Sequence, residues 1–316
     1  MIVYSIDIGG SSIKQSLIEL YDTSPPVLER LKKVRHKANT FNALKKTVLG
    51  IIGDAISKHG EFKIISICTT GGVDQHGVVV NSGFIDGYSN VCWSSIIKDH
   101  YTSIDLVFVI NDGKASTWAE YLSCVDTPSV FSHFVLGTGI GGSSVINDEL
   151  VFGSSGMAGY FGHILVPTFK INSDDKQADK VQNLASGTAI TRHYSDLKPL
   201  KNESIKLQDV IDLCANGDPI AQQAVISAAN RLGIAMGNVM NILNPSIITI
   251  GGGVTLALGK LFHNLFLPEV KRSAQISAHR NLIDTQIRPA KLGNDAGMIG
   301  AAAKARSDFL KQLPLK

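Results

Sequence analysis

Apolar residues cluster, alternate and then change period along the chain, and each change predicts an element. Ile2 to Ile8 is apolar and partly β-branched, Gly9-Gly-Ser-Ser12 supplies a turn, and Ile13 to Leu20 resumes an alternating pattern. This spacing predicts a β-hairpin with a glycine-rich tip. The same pattern returns at Phe134 to Leu136, followed by Gly137-Thr-Gly-Ile-Gly-Gly142 and an apolar run through Val145 and Ile146. The pentapeptide Ile8 to Ser12 reappears unchanged at Ile140 to Ser144. Taken as occupying the same place in two hairpins near the starts of two domains, it points to duplication of one α/β domain.

Between the hairpins, Phe41 to Lys58 has helical apolar spacing, Ile64 to Thr69 and Leu106 to Ile110 read as strands, and Ala115 to Leu122 as a helix. Asp218-Pro219 opens a long helix, since Asp suits the N-cap and Pro the first turn. Its apolar positions Ala221, Ala224, Val225, Ala228, Leu232, Ala235, Val239 and Ile242 keep three- and four-residue spacing as far as Asn244-Pro245. Ile247 to Ile250 is then a strand running into Gly251-Gly-Gly253. The polar segment Asn172 to Asp179 reads as an exposed loop. Alternating strands and helices indicate an α/β fold whose ligands gather at glycine-rich strand ends. The expected division is a domain of residues 1–110, to which a last helix at about 296–316 returns, and a larger domain of residues 111–295.

With 316 residues, 44% of them hydrophobic, the chain can bury a core in each of two domains. Its 30 basic and 27 acidic residues are scattered, and the net charge of +3 gives no reason to expect nucleic acid or membrane partners. The N-terminus has no basic leader and no long uncharged apolar segment, so a soluble cytoplasmic protein is expected. Cys68, Cys92, Cys124 and Cys214 are widely spaced, which fits free thiols and gives no cysteine-based zinc site.

The glycine-rich tips carry the first candidate chemistry. Gly9, Gly10, Gly137, Gly139 and Gly141 let backbone N–H groups approach phosphate oxygens, Ser11, Ser12 and Thr138 add hydroxyls, and Lys14 adds a cation. Gly252 and Gly253 follow another strand in the same way. A plain tight hairpin is the alternative for either tip taken alone. Neither tip is a Walker loop, since GxxxxGK[ST] is absent. The architecture implied is a nucleotide held between two domains. Asp7 is an acid within an apolar strand, which suits either contact with nucleotide-bound Mg²⁺, often through water, or bracing of the hairpin. Asp112 follows the Leu106 to Ile110 strand; it either caps the next helix or accepts a proton from an alcohol during phosphoryl transfer. Asn111 beside it offers a donor and an acceptor to a sugar hydroxyl.

Six segments appear in the order found in the ROK family (repressors, open reading frames, kinases): Asp7-Ile-Gly-Gly-Ser-Ser-Ile-Lys14, Ile110-Asn-Asp-Gly113, Leu136 to Gly142, Gly159-Tyr-Phe-Gly-His163, Leu184 to Ile190 and Ile250-Gly-Gly-Gly253. The resemblance runs on through Asp295-Ala-Gly297 and Gly300-Ala-Ala302. It implies duplicated actin-like ATPase (ribonuclease H-like) domains with an interdomain nucleotide and sugar cleft. It also implies transfer of the ATP γ-phosphate to a hexose, commonly at the C6 hydroxyl, with Asp112 as base and Asn111 as a sugar ligand. ATP and Mg²⁺ are the implied cofactors and a homodimer the expected assembly.

The departures bear on substrate and metal. Zinc-containing members carry a cysteine segment after the glycine-histidine pair, whereas Pro167 to Asn183 has no cysteine, so zinc is not expected. His163 is then a sugar ligand or a hydrogen-bonded structural residue. Tyr160 and Gln182 stand where the family has two carboxylates; both side chains can donate hydrogen bonds as well as accept them. Thr69-Thr-Gly-Gly-Val73 looks like the N-acetylmannosamine kinases, as does Trp118-Ala-Glu120. Gly71 and Gly72 either leave room for an N-acetyl group or reflect ordinary turn variation. N-acetylmannosamine is thus the expected substrate, with glucokinase, fructokinase or β-glucoside kinase activity as alternatives. Repressors of the family have a helix-turn-helix domain ahead of the first phosphate motif, where this sequence has six residues before Asp7. A non-catalytic sugar sensor is the remaining alternative from another class.

Overall fold

The computed structural model describes residues 1–21, 26–36, 39–83, 85–168, 178–198, 205–282 and 284–312. The chain forms two compact units. Residues 1–122, 151–158 and 295–316 make the first, and residues 123–150 and 159–294 the second.

In the first unit the central sheet has the order β3 (Val27–Arg30), β2 (Ser12–Glu19), β1 (Ile2–Ile8), β4 (Ile64–Thr69), β5 (Leu106–Asn111). β1, β4 and β5 are parallel, β2 is antiparallel to β1, and Val34–Arg35 adds a short pairing to β2 beside the tip. All six residues of β4 are buried, as befits a parallel strand covered on both faces. Helix α1 (Phe41–His59) buries Leu44, Val48, Ile51, Ile52 and Ala55, the stripe its sequence spacing predicts. Thr40 caps it by accepting from Ala43 N.

Helix α2 (Asp112–Leu122) follows β5 without a break and belongs to this unit, so the division falls after Leu122 and not after Ile110. Its partner is the last helix (Ala296–Gln312). The two cross so closely that a Cβ on Gly300 would sit 1.8 Å from the Ala115 carbonyl oxygen. Residues 151–158 return to this unit as well, which the sequence pattern does not signal.

The second unit repeats the plan. Its sheet has the order β8 (Glu149–Leu150), β7 (Ile140–Ile146), β6 (Val130–Leu136), β9 (Ile247–Gly251), β10 (Gln286–Pro289), with the same antiparallel hairpin and parallel neighbours. The topology supports the duplication read from sequence but corrects the register inferred from the repeated pentapeptide. Ile8 pairs with Ile13 across a tip of residues 9–12, whereas Leu136 pairs with Ile140 across a tip of residues 137–139. The second copy of the pentapeptide, Ile140 to Ser144, therefore lies inside β7, and the counterpart of Ile8-Gly9-Gly10 is Leu136-Gly137-Thr138.

Helix α3 (Gly187–Leu197) and helix α4 (Pro219–Leu243) cover this sheet. Asp218 caps α4 through Ile220 N and Ala221 N, and Asn244, in the left-handed region at φ 47°, ends it before Pro245. Of the expected apolar stripe, Ile242 is 77% exposed, while Leu243, four residues after Val239, packs on the core. Of the polar segment 172–179, residues 172–177 lie outside the described residues, and Asp179 sits in a strand, Ala178–Lys180, paired with Leu165–Pro167.

Gly300→Ala should lower stability by about 1–3 kcal/mol, because the added methyl pushes two close-packed helices apart. Urea denaturation of the two proteins measures the difference.

Candidate active site

In the first unit the strand ends of β1, β4 and β5 bring Asp7, Cys68 and Asp112 together. Asp7 stands opposite Lys14 across the hairpin, and the Lys14 ammonium lies 2.9 Å from its Oδ2. Cys68 is level with Asp7 on β4. Burial, and after it the charges of Asp7 and Asp112, push its thiol up, so it remains protonated at neutral pH beside Asp7. Lys14 thus braces Asp7 with a side chain that is still about a third exposed. Asp7, already ion-paired, fits a water-mediated contact to a magnesium ion carried by a nucleotide better than direct coordination. Among the described residues no three His, Cys, Asp or Glu side chains converge into a metal cage.

Asp112 is the first residue of α2, not the cap of a helix starting near Ala115. The cap is Asn111, whose Oδ1 accepts from Lys114 N at 3.2 Å. Asn111 Nδ2 donates to Asp112 Oδ1 at 3.0 Å and to the Gly71 carbonyl at 2.9 Å. Gly113 N adds a 2.8 Å bond to the same Asp112 oxygen. Burial, and after it the charge of Asp7, push the Asp112 carboxyl up to about 6, against the lowering effect of these donors.

Gly71 has φ 93°, and a Cβ there would lie 2.3 Å from the Asn81 carbonyl oxygen. The space its missing side chain leaves is therefore filled by the backbone of Asn81 and Ser82. This corrects the reading that a glycine at 71 makes room for an N-acetyl group. Gly72 pairs with Asn81 in a small antiparallel sheet formed by Gly72–Val73, Val78–Asn81 and Val91–Cys92.

At the tip of the first hairpin, Gly9 N donates to Ser12 O at 3.0 Å. Gly10, Ser11 and Ser12 are exposed or half-buried around it.

In the second unit the tip Gly137-Thr138-Gly139 opens onto a pocket of about 690 Å³. Gly187, Thr188, Arg192, Lys206 and Gly253 are among its lining residues. Gly187 N donates to Gly137 O at 2.9 Å and Thr188 Oγ1 to Thr138 O at 3.0 Å, so the start of α3 holds the tip. Gly252, at φ 97°, has no room for a side chain, since a Cβ would meet the Leu136 backbone at 2.3 Å, whereas Gly253 faces open space in the pocket. Gly141 lies within β7, opposite Val135, and not at the tip. Most of the pocket wall on α3 was missed in the sequence; its available signal was Ser186, which caps α3 by accepting from Ala189 N.

Tyr160 and His163 form an edge-to-face pair with ring centroids 6.0 Å apart. His163 is exposed, and partial burial together with Lys180 lowers its pKa. Gln182 turns Oε1 toward Gly139 and Gly162, 3.5 and 3.1 Å from where their side chains would begin. In this unit Gln182 sits against the glycine tip.

Two sheets of the same topology, each a glycine-tipped hairpin joined to parallel strands, define an actin-like ATPase fold. The chain belongs to the ROK family, whose model matches residues 3–308. That family is mostly sugar kinases, with some non-catalytic regulators. The chain is 28% identical over 315 residues to a glucokinase of Halalkalibacterium halodurans, covering 93% of this chain and 92% of that one. It is 28% identical over 205 residues to an N-acetylmannosamine kinase of Yersinia pestis, covering 64% and 65%. A ROK family glucokinase from Streptomyces griseus, solved in complex with glucose and AMPPNP, superimposes with a TM-score of 0.77 at 22% identity, covering 97% of this chain and all of that one. Among the described residues no helix is long and apolar enough to cross a membrane.

Asn111→Ala should cost about 1–2 kcal/mol, the loss of a helix cap with its tie to Gly71. Asp112→Asn should leave stability at pH 8 equal or higher. The carboxyl's folded pKa is raised, so ionising it costs stability as the pH rises through about 6, and the amide removes that cost. Denaturation at pH 5 and pH 8 distinguishes the two variants.

Proposed function

We propose that this chain is an ATP-dependent sugar kinase that transfers the γ-phosphate to the C6 hydroxyl of a hexose or N-acetylhexosamine, with Asp112 as general base. The observation that carries this reading is the Asp112 carboxylate, fixed through Oδ1 and tuned to about 6. A base with that pKa is ionised at neutral pH yet still basic enough to take a hydroxyl proton. In the step proposed, the sugar O–H proton passes to Asp112 as the sugar oxygen bonds to the γ-phosphorus. The β–γ bridging P–O bond breaks and ADP leaves.

ATP would use the second unit's pocket and glycine tip, where Gly137 closes the turn and Thr138 and Gly139 supply backbone donors. In the first unit, Gly9, Gly10, Ser11 and Ser12 are the phosphate contacts and Asp7 the residue facing Mg²⁺. Magnesium would supply charge neutralisation on the phosphates. Asn111, Gly72, Tyr160 and His163 are assigned to the sugar, whereas Gln182 faces the glycine tip.

N-acetylmannosamine is the proposed sugar, supported by the Thr69 to Val73 pattern, by Tyr160 in place of a carboxylate, and by the similarity to an N-acetylmannosamine kinase. It should give a higher kcat/KM than glucose when the two are compared side by side. A clear preference for glucose would move the reading to a glucokinase, which the longer relative also supports.

Asp112→Asn should lower kcat by ~10²–10⁴-fold while ATP affinity stays near wild type. In the wild-type enzyme kcat/KM should rise with pH through a midpoint near 6, because only the ionised carboxylate accepts the proton. Retention of more than about a tenth of wild-type kcat by the variant, with chemistry rate-limiting, would remove Asp112 as the base.

A further inference from the structure

A backbone turn binds an anion only if its N–H groups point outward, and that requires something else to hold its carbonyls. In the second unit every carbonyl of the tip has a protein donor. Gly139 O accepts from Gly137 N, Gly137 O from Gly187 N and Thr138 O from Thr188 Oγ1. Among the described residues no helix start bonds the tip of the first hairpin, yet three of its carbonyls are held. Ser12 O accepts from Gly9 N at 3.0 Å, Ser11 O from His36 N at 3.2 Å, and Gly9 O from the His36 ring at 2.9 Å. Because a carbonyl can only accept, His36 Nε2 is the donor.

His36 is buried and directly follows Val34–Arg35, the short strand that pairs with the beginning of β2, so its ring is delivered to the tip by sheet registry. Gly10 and Ser11 donate their N–H groups to no acceptor within the described residues. Arg35, level with Ser12, and Lys33 are exposed cations with no ion pair among the described residues, and they add positive potential beside the tip.

We propose that His36 is the positioning residue of the first phosphate turn: by holding two of its carbonyls, it keeps the Gly10 and Ser11 N–H groups turned toward the phosphate chain of the donor nucleotide. This rests on the kinase reading above. His36 touches neither the sugar nor the reacting atoms and acts through the turn. Its loss therefore appears in nucleotide affinity and leaves sugar recognition unchanged. A merely structural role, filling space behind the hairpin, predicts instead that an apolar side chain of similar size suffices.

The test compares His36→Met, which fills the space without a donor, with His36→Gln, which restores one. ATP binding is followed by titration calorimetry, with KM for ATP and for the sugar and melting temperature measured in parallel. H36M is expected to weaken ATP binding and raise its KM about tenfold or more, roughly the value of one charge-assisted hydrogen-bonding arrangement. The sugar KM should stay within about twofold, and H36Q should return ATP binding to within about threefold of wild type. Wild-type ATP constants in H36M, or ATP and sugar constants worsening together with a lowered melting temperature, would overturn the proposal. Should H36M not accumulate as folded protein, H36Q decides: near-wild-type ATP constants support the donor role, and a tenfold loss overturns it. A wild-type protein that binds no ATP removes the kinase reading itself, and with it this role.

Discussion

The strand-end geometry of the first unit is organised around a carboxylate whose surroundings favour the acid. Asp112 sits at a strand end among buried groups, with a second carboxylate, Asp7, acting on it. Backbone N–H donors, Gly113 N first, offset part of the cost of ionising Asp112 and the Asn111 side chain adds a smaller share. Its amide nitrogen donates to Asp112 and to the Gly71 carbonyl, while its oxygen caps α2. The positive end of the same helix lies at Asp112, its first residue. One amide thus fixes the orientation of the carboxylate, the start of the helix and the position of the Gly71 turn. Asp7 is managed separately, by the Lys14 ammonium and the protonated Cys68 thiol on either side of it. The remaining pKa shift, to about 6, is what a base working near neutrality would need.

Much of the fold could be read from period and punctuation. β1, β4 and the long helix from Asp218 to Asn244 appear almost residue for residue, because β-branched runs, a capping acid and a left-handed asparagine mark their ends locally. What escaped depends on contacts between distant segments. The return of residues 151–158 to the first unit leaves no periodic trace. The exposure of Ile242 follows from where the core stops and not from its own spacing.

The candidate site was legible in residue types and less so in roles. Glycine tips, Asp7 and Asn111-Asp112 were visible as motifs, but capping stayed open as one reading of Asp112, since Asp and Asn are equally good caps; the side chain that reaches Lys114 N is that of Asn111. Gly71 suggested space for a ligand, yet glycine signals absent side-chain volume without saying what occupies it; here the occupant is the Asn81 backbone. The α3 wall of the second unit's pocket combines Gly187, Thr188, Thr191 and Ser195 with Arg192, residue types whose convergence beside the tip shows only once the helix is placed.

The repeated pentapeptide separates sequence identity from structural equivalence. Superposing Ile8–Ser12 on Ile140–Ser144 would place the second tip four residues too late, because the hairpin closes at Leu136 and Ile140. What the two units share is the order of strands and the requirement that carbonyls of each tip be held by protein donors. That requirement is met by different parts: a histidine next to an edge strand in the first unit, the opening residues of a helix in the second. Residues such as His36 and Thr188 therefore do not align with each other, although each has the same job of occupying the carbonyls of its turn. A duplicated fold can conserve a backbone geometry while the side chains that enforce it diverge, because a phosphate is recognised by the direction of N–H groups and is indifferent to what holds the other side of the peptide.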